Sequence, residues 1–190
     1  MGNMKQDFRW IGLLVLVALV GCGGDPAQEE AVAEEMVDHA TDVVETVVVD
    51  PAVLQMQADC AAAADAMAVR QTEASLYDRL GGRDAIFTVV TDVVARHRVN
   101  EPIMHLMEGV DDARLISQVT DFLSQASGGD VEYHGMNMVD AHAHMNLTDE
   151  HFLAAGGDVQ AAMEAAGVGA DEIQEMMCMF ASLHGDVVRG

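Results

Sequence analysis

Apolar residues recur every three or four positions from about residue 75 to the end of the chain, and no stretch alternates at period two for long. This spacing predicts amphipathic α-helices and no sheet. Glycine pairs end some of these helices, and Asp or Thr residues stand at the starts of others. The predicted helices cover about residues 83–99, 112–127, 138–145, 148–166 and 171–183. We therefore expect an all-α domain over residues 75–190.

The start of the chain has the pattern of an export signal. Lys5 and Arg9 precede an uncharged apolar run, Trp10 to Val20. This run is too short to span a bilayer, which needs about 20 apolar residues. It ends in Leu19-Val20-Gly21-Cys22, which resembles the bacterial lipobox. We expect residues 1–21 to be a lipoprotein signal peptide, with an ordinary signal peptide as the alternative.

Acylation of Cys22 follows from this interpretation, because the lipobox cysteine becomes the first residue of a mature lipoprotein and carries a diacylglycerol. A lipid bilayer is then a partner, and we expect a lipid-anchored protein of the cell envelope. Gly23, and not aspartate, follows the cysteine, as in lipoproteins sorted to an outer membrane. The predicted location is therefore the periplasmic side of that membrane.

Residues 22–74 are rich in Ala, Val, Glu and Asp, and Arg70 is the only basic residue among them. Self-repelling charge favours an extended acidic tether, and residues 25–75 as a coil would span roughly 40 Å. Local helices within this segment stay open as an alternative. Cys60 lies in the predicted tether, and the sequence leaves open both a disulfide with Cys178 and two free thiols.

Charge and cysteine content exclude several classes of protein. The chain carries nine basic and 32 acidic residues, a formal net charge of −23. Such a surface repels phosphate groups, so nucleic acid is not an expected partner. Three cysteines in 190 residues cannot build the disulfide framework of a small secreted domain. The fold must therefore depend on a hydrophobic core.

Four segments share their residues, order and spacing with one family. They are Ser75–Gly82, then Phe122–Leu123 with Gly128–Gly129, then Tyr133-x-Gly135-x-x-Met138-x-x-Ala141-His142, and finally Leu147–Phe152. Together they resemble the group I truncated haemoglobins, and the resemblance covers the whole of residues 75–188. It implies a truncated-globin two-over-two helical sandwich that holds haem b with its iron.

The same resemblance implies the residues of the site. His142 is expected to be the axial iron ligand, since a neutral imidazole nitrogen is the usual proximal donor in globins. His144 should point away, because residues i and i+2 do not share a helix face. Haem is a large apolar plate that needs a lining. The expected cofactor-binding residues are Leu115, Gln118, Phe122, Tyr133, Met138, Leu147 and Phe152. The bound ligand would be a diatomic gas, namely oxygen, nitric oxide or carbon monoxide.

The distal residues depart from the family pattern. Val93-Val94 align where the family usually has Phe-Tyr, so the hydroxyl that commonly donates to bound oxygen is absent. Leu106-Met107 replace two phenylalanines, and Gln118-Val119 replace a basic residue and a glutamine. Gln118 is then the distal polar candidate, while Tyr133, Arg114 or water would have to contact a haem propionate. We expect oxygen to be held weakly.

Three alternatives stay open. The segment His134–Met145 interleaves imidazoles with thioethers, a mixture that suits copper ions in a periplasm-like compartment. A domain that keeps the globin shape without haem would instead be a binding module. If haem is bound, Met107 or His105 could supply a sixth ligand.

The sequence contains no electron source of its own. No Gly-x-Gly-x-x-Gly turn follows a predicted strand, so there is no nicotinamide or flavin motif. Nitric-oxide dioxygenation, familiar for some relatives, would need an external reductase as a partner. We expect a ligand-binding protein and assign no catalytic residues.

Overall fold

The computed structural model describes residues 49–188. Within this range the chain forms eight α-helices, one 3₁₀ helix and no strand, which confirms the predicted all-α class. The elements are α1 (Pro51–Glu73), α2 (Leu76–Arg79), α3 (Gly82–His97), the 3₁₀ helix (Met104–Met107), α4 (Asp112–Ala126), α5 (Met138–His142), α6 (Asp149–Ala165), α7 (Ala170–Ser182) and α8 (His184–Val187). None of these helices is long and apolar enough to cross a membrane. The predicted signal peptide and Cys22 lie outside the described residues.

Helix α1 lies where the sequence predicted an extended tether. Residues 51–73 are one continuous helix, so an extended conformation is wrong for this part of residues 22–74. Asp50 caps the helix by accepting the N–H of Ala52, and Pro51 stands in its first turn. The run Ala61–Ala64 has the highest intrinsic helix propensity. Only three acidic residues lie within 51–73, so charge repulsion is too weak there to extend the chain.

Helix α1 packs against α7 and is covalently joined to it. Cys60 and Cys178 form a disulfide with a Cα–Cα distance of 5.4 Å, which resolves the alternatives that the sequence left open. Further along α1, Arg70 lies 3.5 Å from Asp171, near the start of α7. Rising residue numbers in α1 thus pair with falling numbers in α7, and the two helices run antiparallel.

A buried carboxylate joins α1, α2 and α7. The side chain of Glu175 is only 4% exposed. It accepts hydrogen bonds from Arg70 (2.5 Å), Arg79 (2.5 Å) and Gln71 (2.8 Å). Burial alone would raise the pKa of Glu175, but these donors outweigh it, and the pKa lies below its usual value. Glu175 is therefore charged and fully paired inside the domain at neutral pH.

The core lies between two helix pairs. Helix α3 packs against α4 and α6, and α6 packs against α7, which gives the predicted two-over-two sandwich. Each fully buried aliphatic or aromatic side chain contributes about 1.5–3 kcal/mol to folding. The core side chains from these helices are Ile86, Val90, Val93, Val94, Phe152, Ala162, Met163, Met176 and Ala181.

Two of the family motifs, the segment Ser75–Gly82 and the Gly128–Gly129 pair, contact each other. The N–H of Tyr77 donates to the carbonyl of Ser127 at 2.9 Å, and the Tyr77 ring covers Gly129. A Cβ atom on Gly129 would lie 2.7 Å from a ring carbon of Tyr77, which no real side chain tolerates. The Gly128-Gly129 pair therefore lets α2 seat against the end of α4.

Candidate functional site

Helix α5 is a five-residue helix that ends at His142. Its start is fixed by Asn137, whose side chain accepts the N–H of Asp140. The Nδ1 atom of His142 lies 2.8 Å from the carbonyl oxygen of Met138. A carbonyl oxygen can only accept, so Nδ1 carries the proton and the lone pair of Nε2 is left for a metal. His142 is half-buried, whereas His144, which lies two residues beyond the end of α5, is exposed.

Two helices carry apolar side chains that the protein covers only in part. No residue of α5 is fully buried. On α4, Leu115 and Phe122 are half-buried, whereas the small polar residues Thr120 and Ser124 are completely buried. A strongly amphipathic helix normally buries its apolar side first. The partly covered apolar side of α4 therefore fits a large apolar ligand such as haem.

The other predicted lining residues fall into two groups. Tyr133, Met138 and Gln118 are half-buried, like Leu115 and Phe122. Leu147 and Phe152 are buried in the protein core, with 6% and 3% exposure. The Phe152 ring stacks on Phe180 with a centroid distance of 4.3 Å and meets His184 edge-on at 4.9 Å. Phe152 thus packs in the core against α7 and the start of α8.

Tyr133 folds back over the loop that leads to α5. Its ring meets Phe122 edge-on at 5.4 Å, and its hydroxyl donates to the carbonyl of Met136 at 2.9 Å. Its backbone N–H donates to the amide oxygen of Gln125 at 2.7 Å. Burial raises the pKa of Tyr133, so the hydroxyl stays protonated at neutral pH. Its single proton is already donated, and the side chain shapes the loop instead of offering a donor to a propionate.

The predicted distal positions are apolar and packed. Val93 and Val94 on α3 are 8% and 4% exposed, and Met107 in the 3₁₀ helix is 7% exposed. Leu106 is half-buried. His105, considered above as a sixth ligand, is exposed, and its ring lies 5.6 Å from that of His151.

Arg98 fixes the connection between α3 and α4, a role that the sequence did not reveal. Its guanidinium donates to the carbonyl of Met107, donates to the carbonyl of Val110 at 2.9 Å, and pairs with Asp112. An arginine at the end of a helix normally suggests only a favourable interaction with the helix dipole. Here it positions the segment that contains Leu106-Met107.

Two His–Asp pairs were also missed, because their partners are far apart in the sequence. The Nδ1 atom of His97 lies 2.8 Å from Asp158, and the Nε2 atom of His184 lies 2.6 Å from Asp149. His184 is 8% exposed. It begins α8, which packs against α5.

No group of three or more His, Cys, Asp or Glu side chains in residues 49–188 is close enough to hold a metal ion. The side chain of His134 is 77% exposed, and Met136 is 60% exposed. A single imidazole is what a haem iron needs from the proximal side, since the porphyrin supplies four donors of its own.

Comparison with known families supports the globin interpretation. The family model described as "Bacterial-like globin" matches residues 75–189. This chain belongs to the bacterial-like globin family. The match includes His142 and every predicted lining residue of this globin, and it leaves α1 outside.

Known truncated haemoglobins agree with this assignment. Group 1 truncated hemoglobin GlbN of Mycolicibacterium paratuberculosis is 31% identical over 117 residues, which are 62% of this chain and 86% of that protein. The crystal structure of truncated hemoglobin from Tetrahymena pyriformis, in its Fe(III) form, is 29% identical with a TM-score of 0.59. The match covers 61% of the present chain and 99% of the Tetrahymena chain.

The 2/2 hemoglobin from Synechococcus, solved in the cyanomet state with covalently attached heme, is 28% identical with a TM-score of 0.57. The match covers 60% of the present chain and 98% of the Synechococcus chain. These relatives are haem-iron proteins, so the predicted fold family and cofactor are confirmed.

Proposed function

We propose that this globin holds haem b through Nε2 of His142 and that the haem, when bound, would take up diatomic gases. The observation that carries the proposal is the hydrogen bond from Nδ1 of His142 to the carbonyl of Met138. That bond fixes the tautomer and the ring orientation, and it raises the basicity of the ligating nitrogen. Haem iron supplies the coordination position at which oxygen, nitric oxide or carbon monoxide binds.

The proposed lining is apolar on α4 and α5, where Leu115, Phe122 and Met138 are only half-buried by protein. These side chains would contact the porphyrin and exclude water from it. Arg114 is exposed on α4, next to this lining, and would serve a propionate.

Weak binding of oxygen is the second part of the proposal. Valine side chains at 93 and 94 have no hydrogen to donate, and Met107 offers only a thioether. Oxygen depends more on a donated hydrogen bond than carbon monoxide does, because it becomes more polar when it binds. Gln118 is the remaining distal donor candidate. We expect carbon monoxide and nitric oxide to bind readily while oxygen leaves fast.

The binding proposal is tested by hemin titration of His142→Ala beside the matched control His144→Ala. Both remove one imidazole from the same short segment, but only His142 donates to a helix carbonyl. We expect the wild type and the control to gain a Soret band at one haem per chain. The His142→Ala protein should lose that band, and normal haem spectra in this variant would contradict the assignment. A wild type that stays colourless would favour the haem-free module.

Two further parts of the proposal concern the membrane anchor of the globin and its source of electrons. We propose that Cys22 is acylated and that the protein is anchored at the periplasmic face of an outer membrane, on the basis of the lipobox-like sequence Leu19–Cys22. We also propose that electrons for any turnover come from an external reductase, since the chain has no nicotinamide or flavin motif.

A further inference from the structure

Helix α1 lies outside the range that matches the globin family, yet it is bound to the globin domain at three places. At its start, the backbone N–H of Asp50 donates to Oδ2 of Asp149 at 2.5 Å. In its middle is the Cys60–Cys178 disulfide. Near its end, Arg70 donates to Glu175. These three attachments fix α1 to the globin domain at its start, its middle and its end.

The contact at the start of α1 converges on one carboxylate. Asp149 is the first residue of α6 and has two oxygens with different partners. Oδ2 accepts the N–H of Asp50, and Oδ1 lies 2.6 Å from Nε2 of His184. The two hydrogen bonds outweigh the opposing effect of burial, and the pKa of Asp149 is lowered. The carboxylate therefore joins the start of α1 to the start of α8.

Helix α8 in turn supports the helix that carries the iron ligand. It packs against α5, which has no fully buried residue of its own. His184 is held on a second side by the edge-on contact with Phe152. The four-residue α8 is too short to be stable alone, so its position depends on these contacts.

We propose that Asp149 and His184 are positioning residues that, together with α1, brace α8 behind α5 and so hold His142 in place for the haem. This inference rests on the proposed role of His142. It assigns to the α1 segment, which the family match does not include, the task of slowing haem loss. The disulfide then contributes by keeping α1 in position.

The test is the rate of haem transfer from the holo protein to excess apomyoglobin, together with the iron–histidine stretching band of the ferrous form. His184→Phe keeps a ring against Phe152 but removes the bond to Asp149. His97→Phe is the matched control, because it breaks the similar His97–Asp158 pair, which joins α3 to α6.

We expect His184→Phe to lose haem about 10-fold faster, the usual cost of disturbing groups that orient a metal ligand, and to shift the stretching band. The control should stay within about twofold of the wild type. Equal rates in the two variants, or an unshifted band in His184→Phe, would overturn the brace.

Two other variants keep the proposal testable if His184→Phe fails to fold. Asp149→Asn retains an oxygen and the size of the side chain, and the double variant Cys60→Ser/Cys178→Ser releases the middle of α1. Faster haem loss is expected in both, and wild-type rates in both would refute the brace. A His142→Ala protein with normal haem spectra would instead refute the proposed function, so the two failures are distinguishable.

Discussion

The hydroxyl oxygen of Tyr133 occupies the space that any side chain at position 135 would need. A Cβ atom on Gly135 would lie 2.1 Å from that oxygen. The two residues therefore form one unit, in which the ring closes over the glycine and its hydroxyl reaches the carbonyl of Met136. This unit sets the path of the loop immediately before α5.

Gly135→Ala should accordingly expel the Tyr133 ring and lower the free energy of unfolding by about 1–3 kcal/mol, the usual cost of overpacking. Gly157→Ala is a suitable control, because position 157 is helical and a Cβ there meets nothing within 4 Å. That control should be stabilised by about 0.5–1 kcal/mol. Urea unfolding of the apo proteins measures both changes. An alanine at 135 that costs nothing would show that the ring moves freely.

The buried carboxylate of Glu175 predicts a specific pH dependence of stability. Because the pKa of Glu175 is lowered in the folded state, its stabilising effect is complete above the unfolded pKa of about 4.3 and is lost as the pH falls through the folded pKa. Glu175→Gln should reduce the free energy of unfolding by about 2 kcal/mol at pH 7, since hydrogen bonds to a charged group are lost.

The difference between wild type and Glu175→Gln should therefore shrink as the pH is lowered from 5 to 3 in a series of urea titrations. Exposed Glu164 provides the control, and Glu164→Gln should stay within about 0.5 kcal/mol of wild type throughout. A Glu175→Gln difference that is constant with pH would mean that the charge of Glu175 does not stabilise the fold.

The proposed weak binding of oxygen predicts that a hydroxyl placed on the distal side will slow oxygen release. Val94→Tyr should lower the oxygen dissociation rate about tenfold, because one hydrogen bond of about 1.4 kcal/mol would be gained. Val94→Phe adds the same ring without the hydroxyl and separates this effect from packing. Stopped-flow measurements of oxygen and carbon monoxide dissociation should show a selective effect on oxygen in Val94→Tyr. Equal oxygen rates in the two variants would contradict the prediction.

The proposed anchor is tested at Cys22. In a bacterial host, the wild type should incorporate labelled palmitate and sediment with membranes, and Cys22→Ala should do neither. Cys60→Ala controls for the loss of a cysteine as such and should remain labelled. Label retained in Cys22→Ala would show that the lipobox-like sequence is incidental.

Most of the globin domain was predictable from the sequence, because its helices have apolar stripes and glycine breaks. The N-cap of α6 at Thr148 and the end of α4 before Gly128 are examples. Helix α1 was not predicted, although its covered residues Val53, Met56, Cys60, Ala63 and Met67 recur every three or four positions. The acidic, alanine-rich composition of residues 22–74 indicated a tether instead. The disulfide and ion pairs that also hold this helix depend on partners about a hundred positions away, which periodicity does not show.

The candidate site was predictable only where a residue has a local function. His142 follows a recognisable motif, and its hydrogen bond to Met138 lies within one helical turn. The ring of Tyr133 meets Phe122 and its hydroxyl bonds to its own loop, two contacts that the sequence did not indicate. The Asp149–His184 pair needed the fold, because two chemically ordinary residues become partners only after α6 and α8 have packed.

The bond between Cys60 and Cys178 also determines what a protease could achieve. A cut at the short connection between α1 and α2, around Ala74, would nick the backbone without separating the pieces, since the sulfur bridge would still tie them together. After such a cut, the globin portion would stay joined to the part of the chain before Ala74 until the disulfide is also reduced.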